Sequence, residues 1–182
     1  MNRLRESIHD APVVERDGYR YLVHPVSNGI PTLDPKLMRE VVNGLLRLVD
    51  FEDADVIVTP VTMGVHVATA LSLTTDVPLV VIRSREYGFD DEVPFEHPDG
   101  EYYLNDVTAG DDVVVVDDLV NTGQSIAAIV EAIDDVGANL VDVACVLRRV
   151  ESRDDLVDVD VKSLLEVSVT ADGVDVLDDA SH

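Results

Sequence analysis

Residues 113–125 read VVVVDDLVNTGQS. Four consecutive valines fit a strand buried on both faces. Two adjacent aspartates are a costly continuation, because each loses hydration near a core and the two repel one another. The predicted strand, Val113–Val116, therefore ends at Asp117 and Asp118. A short Asn-Thr-Gly-Gln-Ser turn follows, and then Ile126, Ile129, Val130, Ile133 and Val136 recur at helical spacing, with Gly137 as a natural stop. The acids alone are equally consistent with two solvated carboxylates on the approach to a helix. The turn changes the balance. A helix start offers unpaired N–H groups and a partial positive charge, Gly123 permits close approach, and Thr122 and Ser125 add hydroxyls. This is a phosphate cradle built without lysine. Neither the G-x-x-x-x-G-K-[ST] loop nor the G-x-G-x-x-G turn is present.

Strand and helix alternate on either side of this stretch. Pro12–His24 reads as a hairpin turning at Asp17-Gly18, and Asp34-Pro35 as the cap and first residue of a helix carrying Leu37, Met38, Val41, Val42, Leu45, Leu46 and Val49. Buried strands are expected at Ala54–Thr59, Pro78–Ser84 and Asn139–Leu147. A shorter one is expected at Val161–Val167, and an edge strand with a loose end in the tail. Arg85–Asp111 is long, polar and rich in turns. The pattern predicts a single α/β domain of 182 residues with a mostly parallel central sheet and helices on both faces. Ligand sites in such sheets lie at the carboxyl ends of strands, here after Thr59, Arg83 and Asp117.

The composition excludes other classes. Thirty-seven acidic residues against 13 basic ones give a formal net charge of −24, and Lys36 and Lys162 are the only lysines. Such a surface repels nucleic acid and anionic membranes. No apolar run approaches a membrane span, and the start MNRLRESIHD has no signal-peptide character. A lone cysteine, Cys145, in an apolar strand reads as a core residue of a cytoplasmic protein. The acidity points to a cytoplasm of very high salt, in which self-repulsion is screened.

Carboxylates that accept from vicinal hydroxyls, beside a phosphate cradle, match a ribose 5-phosphate. VVVVDDLVNTGQS resembles the phosphoribosyl pyrophosphate (PRPP) signature of the type I phosphoribosyltransferases. APVVERDGYRYLVHPVSNGIP, TMGVHVATALSL, VVIRSREYG and VKSLLEV extend the likeness over roughly residues 1–170. They are most similar to the archaeal hypoxanthine/guanine phosphoribosyltransferase group, and more distantly to the adenine enzymes. The resemblance implies the type I fold with a small hood (residues 1–30 and about 148–170, Lys162–Leu165 among them) and a flexible loop (84–111). It implies that Asp117 and Asp118 bind the ribose hydroxyls and serve the Mg²⁺ that rides on PRPP, with Asp118 a candidate acid/base. Asn121, Thr122, Gly123, Gln124 and Ser125 would hold the 5-phosphate. Thr62, Met63, Gly64 and Arg83 would meet pyrophosphate, and Leu147 and Arg148 would border the base. The implied reaction is transfer of ribose 5-phosphate from PRPP to a purine, 6-oxopurine before adenine, by a homodimer.

Three positions depart from that pattern. Val61 stands where the archaeal group usually has an acid. Ser84 follows Arg83 where lysine is usual, and Gln124 interrupts Gly-Gly-Thr. His66 reads as a structural histidine at the start of its helix, with pyrophosphate binding the other reading. The intact acidic pair favours an enzyme; the missing lysine favours a PRPP- or nucleotide-sensing regulator on the same fold.

Overall fold

The valine run lies at the centre of a six-stranded sheet. The structure is a computed structural model and describes residues 1–16, 18–150 and 159–177. The chain opens with α1 (Asn2–His9), a hairpin of β1 (Val13–Arg16) and β2 (Tyr19–Leu22), the short α2 (Pro25–Asn28) and α3 (Pro35–Leu48). A first strand-helix-strand unit comprises β3 (Val56–Pro60), α4 (Gly64–Thr75) and β4 (Leu79–Ile82). A second hairpin, β5 (Val93–His97) and β6 (Gly100–Leu104), leads to β7 (Asp112–Val120), α5 (Gln124–Val136) and β8 (Asn139–Arg149). β9 (Val161–Val169) and β10 (Val174–Leu177) follow.

The sheet order is β10-β9-β8-β7-β3-β4. All neighbours are parallel except β10, which pairs antiparallel with β9 at the edge. From β3 the chain crosses outward to β4, and from β7 it crosses the opposite way to β8. Crossovers of one hand that run in opposite directions place their helices on opposite faces. Val114 and Val116 accordingly pack in one cluster with Leu45 of α3 and Val67 and Leu71 of α4. Val113 and Val115 pack in the other with Ile126, Ile129 and Ile133 of α5. Both faces of the strand are buried, which is why it reads as unbroken valine. Cys145 is fully buried in the α5 cluster.

Local signals act as expected. The Asp34 carboxylate accepts from the N–H groups of Lys36 and Leu37 at 2.6 and 3.3 Å, and Pro35 opens the helix. Gly137 ends α5 at φ 80°, a left-handed conformation that suits glycine. β1 and β2 pair antiparallel as read; Asp17 of their turn lies outside the described residues.

Other expectations change. β7 does not end at Val116. It continues through both aspartates to Val120, because β8 runs on to Arg149 and supplies ladder partners: Asp117 opposite Cys145, Leu119 opposite Leu147, Val120 opposite Arg148. β9 spans nine residues and pairs with β8, so Lys162–Leu165 form part of the central sheet rather than of a separate hood. Residues 151–158 and 178–182 lie outside the described residues. Within 85–111 the chain builds the β5–β6 hairpin, which packs against α5 and joins the end of β4 through paired backbone bonds between Arg83 and Tyr103. Neither α1 nor the four-residue α2 is marked by a periodic pattern in the sequence. Among the described residues no helix is long and apolar enough to cross a membrane.

Ile129 has no exposed surface. Ile129→Ala is expected to cost about 2–5 kcal/mol in denaturant unfolding, whereas Val14→Ala, on an exposed edge, should stay within about 0.5 kcal/mol.

Candidate active site

The two crossovers part between β7 and β3, and the divergence opens a crevice at the carboxyl end of the sheet, the position where open α/β sheets bind ligands. Three sequence-predicted groups meet there: Asp117 of β7, the turn 121–125 and the turn 62–64. A cavity of about 230 Å³ is lined by Asp117, Leu119, Val120, every residue from Asn121 to Ile126, and Pro98 and Asp99. The last two come from the β5–β6 turn, which thus forms one wall of the cavity. A larger depression, about 660 Å³, lies at the amino end of the sheet beside Phe51 and Lys162. Its charges are mixed, and Lys162 is already ion-paired with Asp142.

Successive residues of a strand face opposite ways, and this splits the acidic pair. Asp117 lines the cavity, whereas Asp118 does not and is only 8 % exposed. Asp117 Oδ1 accepts from the Asp118 N–H at 2.8 Å. Burial, followed by repulsion from Asp118, raises the Asp117 carboxyl well above the ordinary range. Burial likewise pushes Asp118 up to about 6. Carboxyls tuned toward neutrality in a cleft are poised for proton exchange.

Both crevice helices begin without a side-chain cap. α5 starts behind Gly123 at φ 80°, and α4 behind Met63. Side chains cap α2 and α3 instead, through His24 and Asp34. Omitting the cap leaves N–H donors directed at the crevice, where an anion can accept them. At α5 the Thr122 hydroxyl makes one long contact, 3.4 Å, with the Gln124 N–H. At α4 the essential residue is Gly64. A Cβ there would lie 2.3 Å from Thr59 Oγ1 and 2.8 Å from Asp117 Oδ1. Thr59 Oγ1 is buried and has no hydrogen-bond partner among the described residues. Met63 reaches back toward Gly29, just beyond α2.

The remaining predicted positions lie apart from the crevice or are only partly available. Arg83 does not line the cavity. Its guanidinium donates to Glu92 and Asn105 and lies over the Tyr87 ring at 4.7 Å. Leu147 is fully buried in the core, and its backbone lies in the ladder between Leu119 and Leu165, so it cannot border a base. Arg148 donates to the Val161 carbonyl at 3.2 Å. His66 sits in the first turn of α4 with Nε2 buried and unpartnered among the described residues, and burial lowers its pKa. Val61, where an acid was expected, packs on the α5-face cluster. Ser84 is exposed. Thr59 was marked in the sequence only as the start of a site loop; Asp99 and Glu92 were not singled out, because they lie in turns and loops that no periodic pattern marks. Among the described residues no group of three or more His, Cys, Asp or Glu could hold a metal. A Mg²⁺ shared between a carboxylate and ligand phosphates suits such a site, because that ion seldom takes an all-protein cage.

Comparison with known proteins agrees with this geometry. Residues 36–179 match the phosphoribosyl transferase domain. HGPRTase-like protein 1 of Haloarcula marismortui is 55% identical, the alignment covering 98% of this chain and all of the relative. HGPRTase-like protein 2 of Haloferax volcanii is 53% identical over 97% of this chain and 99% of its own. In structure, adenine phosphoribosyltransferase of Thermoanaerobacter pseudethanolicus superposes with a TM-score of 0.76 at 19% identity, covering 91% of this chain and 99% of that one. The chain belongs to the phosphoribosyltransferase family, with the type I fold, and is a pentosyltransferase. Its place within the family is beside the halophilic archaeal HGPRTase-like proteins.

Two outcomes follow from the site. A carboxyl whose pKa is about 6 folded and 3.8 in its ordinary state holds its proton more tightly in the folded chain. Stability therefore falls as pH rises between those values, and the loss persists above them. Asp118→Asn is expected to be on the order of 1–3 kcal/mol more stable than wild type at pH 7, with the gain vanishing below about pH 4, in unfolding curves across pH. Gly64→Ala should lower stability by about 1–3 kcal/mol, because α4 must move off Thr59 and Asp117.

Proposed function

We propose that the chain transfers ribose 5-phosphate from PRPP to a 6-oxopurine, hypoxanthine or guanine, and releases pyrophosphate. One observation carries the reading: a desolvated carboxylate pair stands between two uncapped helix N-termini at the point where the crossovers diverge. That spacing of acceptors and donors suits a sugar diol with phosphates on either side. The names of the halophilic relatives support hypoxanthine or guanine as the base. The adenine enzymes among the structural neighbours, at 13–22% identity, speak to the fold alone.

In this reading the 121–125 turn holds the 5-phosphate on the α5 N–H groups, and the Thr122 and Ser125 hydroxyls add donors. Asp117 accepts from the ribose hydroxyls. The 62–64 turn, with the first N–H groups of α4, takes the leaving pyrophosphate. Fixed donors of this kind stabilise charge as it builds on the leaving group without reorganising. Asp118, raised toward neutrality, exchanges a proton with the purine ring at N7. The base lies beyond the end of β8, near Arg148. Mg²⁺, carried by PRPP and served by Asp117 and Asp118, neutralises diphosphate charge when bound. With a net charge of −24 the chain repels its own polyanionic substrate, so binding rests on backbone donors, the metal and the few arginines, and gains from screening by salt. A cytoplasmic homodimer, without nucleic-acid or membrane partners, completes the proposal.

A second reading, a PRPP- or nucleotide-sensing regulator with little turnover, draws on one observation: Arg83 is held by Glu92 and Asn105 away from the cavity. Turnover separates the two. With Mg²⁺, PRPP and each purine in about molar salt, wild type should form a nucleotide from hypoxanthine or guanine. Asp118→Asn should lose on the order of 10²-fold or more in kcat. PRPP binding with no nucleotide formed from any base would replace the enzyme with the sensor.

A further inference from the structure

The loop between Arg83 and β5 gathers several donors around a single carboxylate. Glu92 is at their centre, its side chain 5% exposed. Its Oε1 accepts from the Tyr87 N–H at 2.9 Å, and its Oε2 from the Phe89 N–H at 3.1 Å. The Gly88 N–H donates to Oε2 as well. Arg83 Nη2 donates to Oε1 at 3.1 Å, and the same guanidinium lies over the Tyr87 ring. Gly88 adopts φ 77°, which bends the backbone so that three successive N–H groups converge. Consecutive amide hydrogens turned toward one point form an anion-binding nest, and a guanidinium beside them adds charge and a planar fork. This nest is filled from within.

The resemblance already assigns Arg83 to pyrophosphate; we infer that the Glu92 carboxylate is an internal substitute for a terminal phosphate of that ligand, occupying the donors of residues 83–89 in its place. A phosphate offers three acceptor oxygens and more charge than one carboxylate, so it makes every bond that Glu92 makes. Displaced, Glu92 moves into solvent at no cost in hydration. When the product leaves, the tethered carboxylate reclaims the nest and speeds the departure, because it competes at high effective concentration. The arrangement also accounts for Arg83. The residue expected to meet pyrophosphate is parked on a carboxylate rather than misplaced. The choice of pyrophosphate rests on the phosphoribosyl-transfer reading; the nest itself does not.

The test is calorimetric titration of magnesium pyrophosphate into wild type, Glu92→Gln and Asp90→Asn, in about molar KCl. Asp90 is an exposed acid of the same loop and controls for the loss of one negative charge. Glu92→Gln should bind about tenfold more tightly than wild type, and Asp90→Asn should stay within about twofold. Adding Arg83→Ala to Glu92→Gln should abolish the gain. Unchanged or weaker binding by Glu92→Gln would mean that the carboxylate only staples the loop, and the inference would fall. The wild-type chain gives an independent check that needs no variant: the amide resonances of Tyr87, Gly88 and Phe89 should shift on saturation with pyrophosphate, and fixed resonances would overturn the inference. Nucleotide formation by wild type, measured alongside, keeps the two readings apart. Turnover without a gain in Glu92→Gln discards the internal substitute and retains the transferase. A gain without turnover does the reverse.

Discussion

The first turn of α4 touches β7 so closely that nothing larger than a hydrogen atom fits between them at Gly64. The rest of the site depends on that contact. It holds the free N–H groups of α4 beside the carboxylate of Asp117, so donors for one end of a ligand and acceptors for its middle share one wall. It also strips water from the same carboxylate. Burial is the leading cause of the raised Asp117 pKa, and the helix is part of what buries it. Anion-binding geometry and acid tuning thus come from a single packing decision, and a methyl group at residue 64 would disturb both.

That arrangement opposes stability. Two carboxyls with raised pKa values stand side by side in a molecule that already carries −24. The valine strands offset the cost. β7 is buried on both faces and continues as a paired strand through the acids, so the ladder fixes Asp117 and Asp118 where side-chain preference would not. Extending β7 to Val120 is what makes the pair rigid. Acids at a frayed strand end would turn outward to water and lose the tuning that suits them to chemistry.

Much of this was legible in the sequence. The unbroken valines announced a sheet covered on both faces, Asp34-Pro35 and Gly137 announced helix ends, and the acids with the turn after them announced the crevice. What stayed hidden depends on partners far away in the chain. α1 shows only Leu4 and Ile8 as buried apolar positions, too few for a period, and it docks through Glu40, whose carboxylate accepts from the Leu4 N–H at 3.0 Å. The extension of β7 was obscured because charge resembles a strand end until β8 is seen beside it. The resemblance gave Leu147, at the expected end of its strand, to the base, yet the sheet carries on past it and seals it in. Arg83 was expected to meet pyrophosphate, but it stands outside the cavity, and its partners sit nine and 22 residues further on, in a loop with no periodic signal.

The β5–β6 hairpin has a second role besides walling the cavity. It bonds to the end of β4, the outermost strand of the sheet on that side, through the Arg83–Tyr103 pair. β4 is short, and its Leu79, Val80 and Val81 are only partly buried. A strand of that kind is a template for another molecule's strand unless something covers it. In concentrated salt, where charge repulsion between molecules is largely screened, the cover carries more of the burden of keeping chains apart. A hairpin that lifted freely to admit substrate would also bare this edge. The bonded pair at Arg83 thus gives the hairpin stem a reason to stay in place: it shields the end of an edge strand as well as walling the cavity.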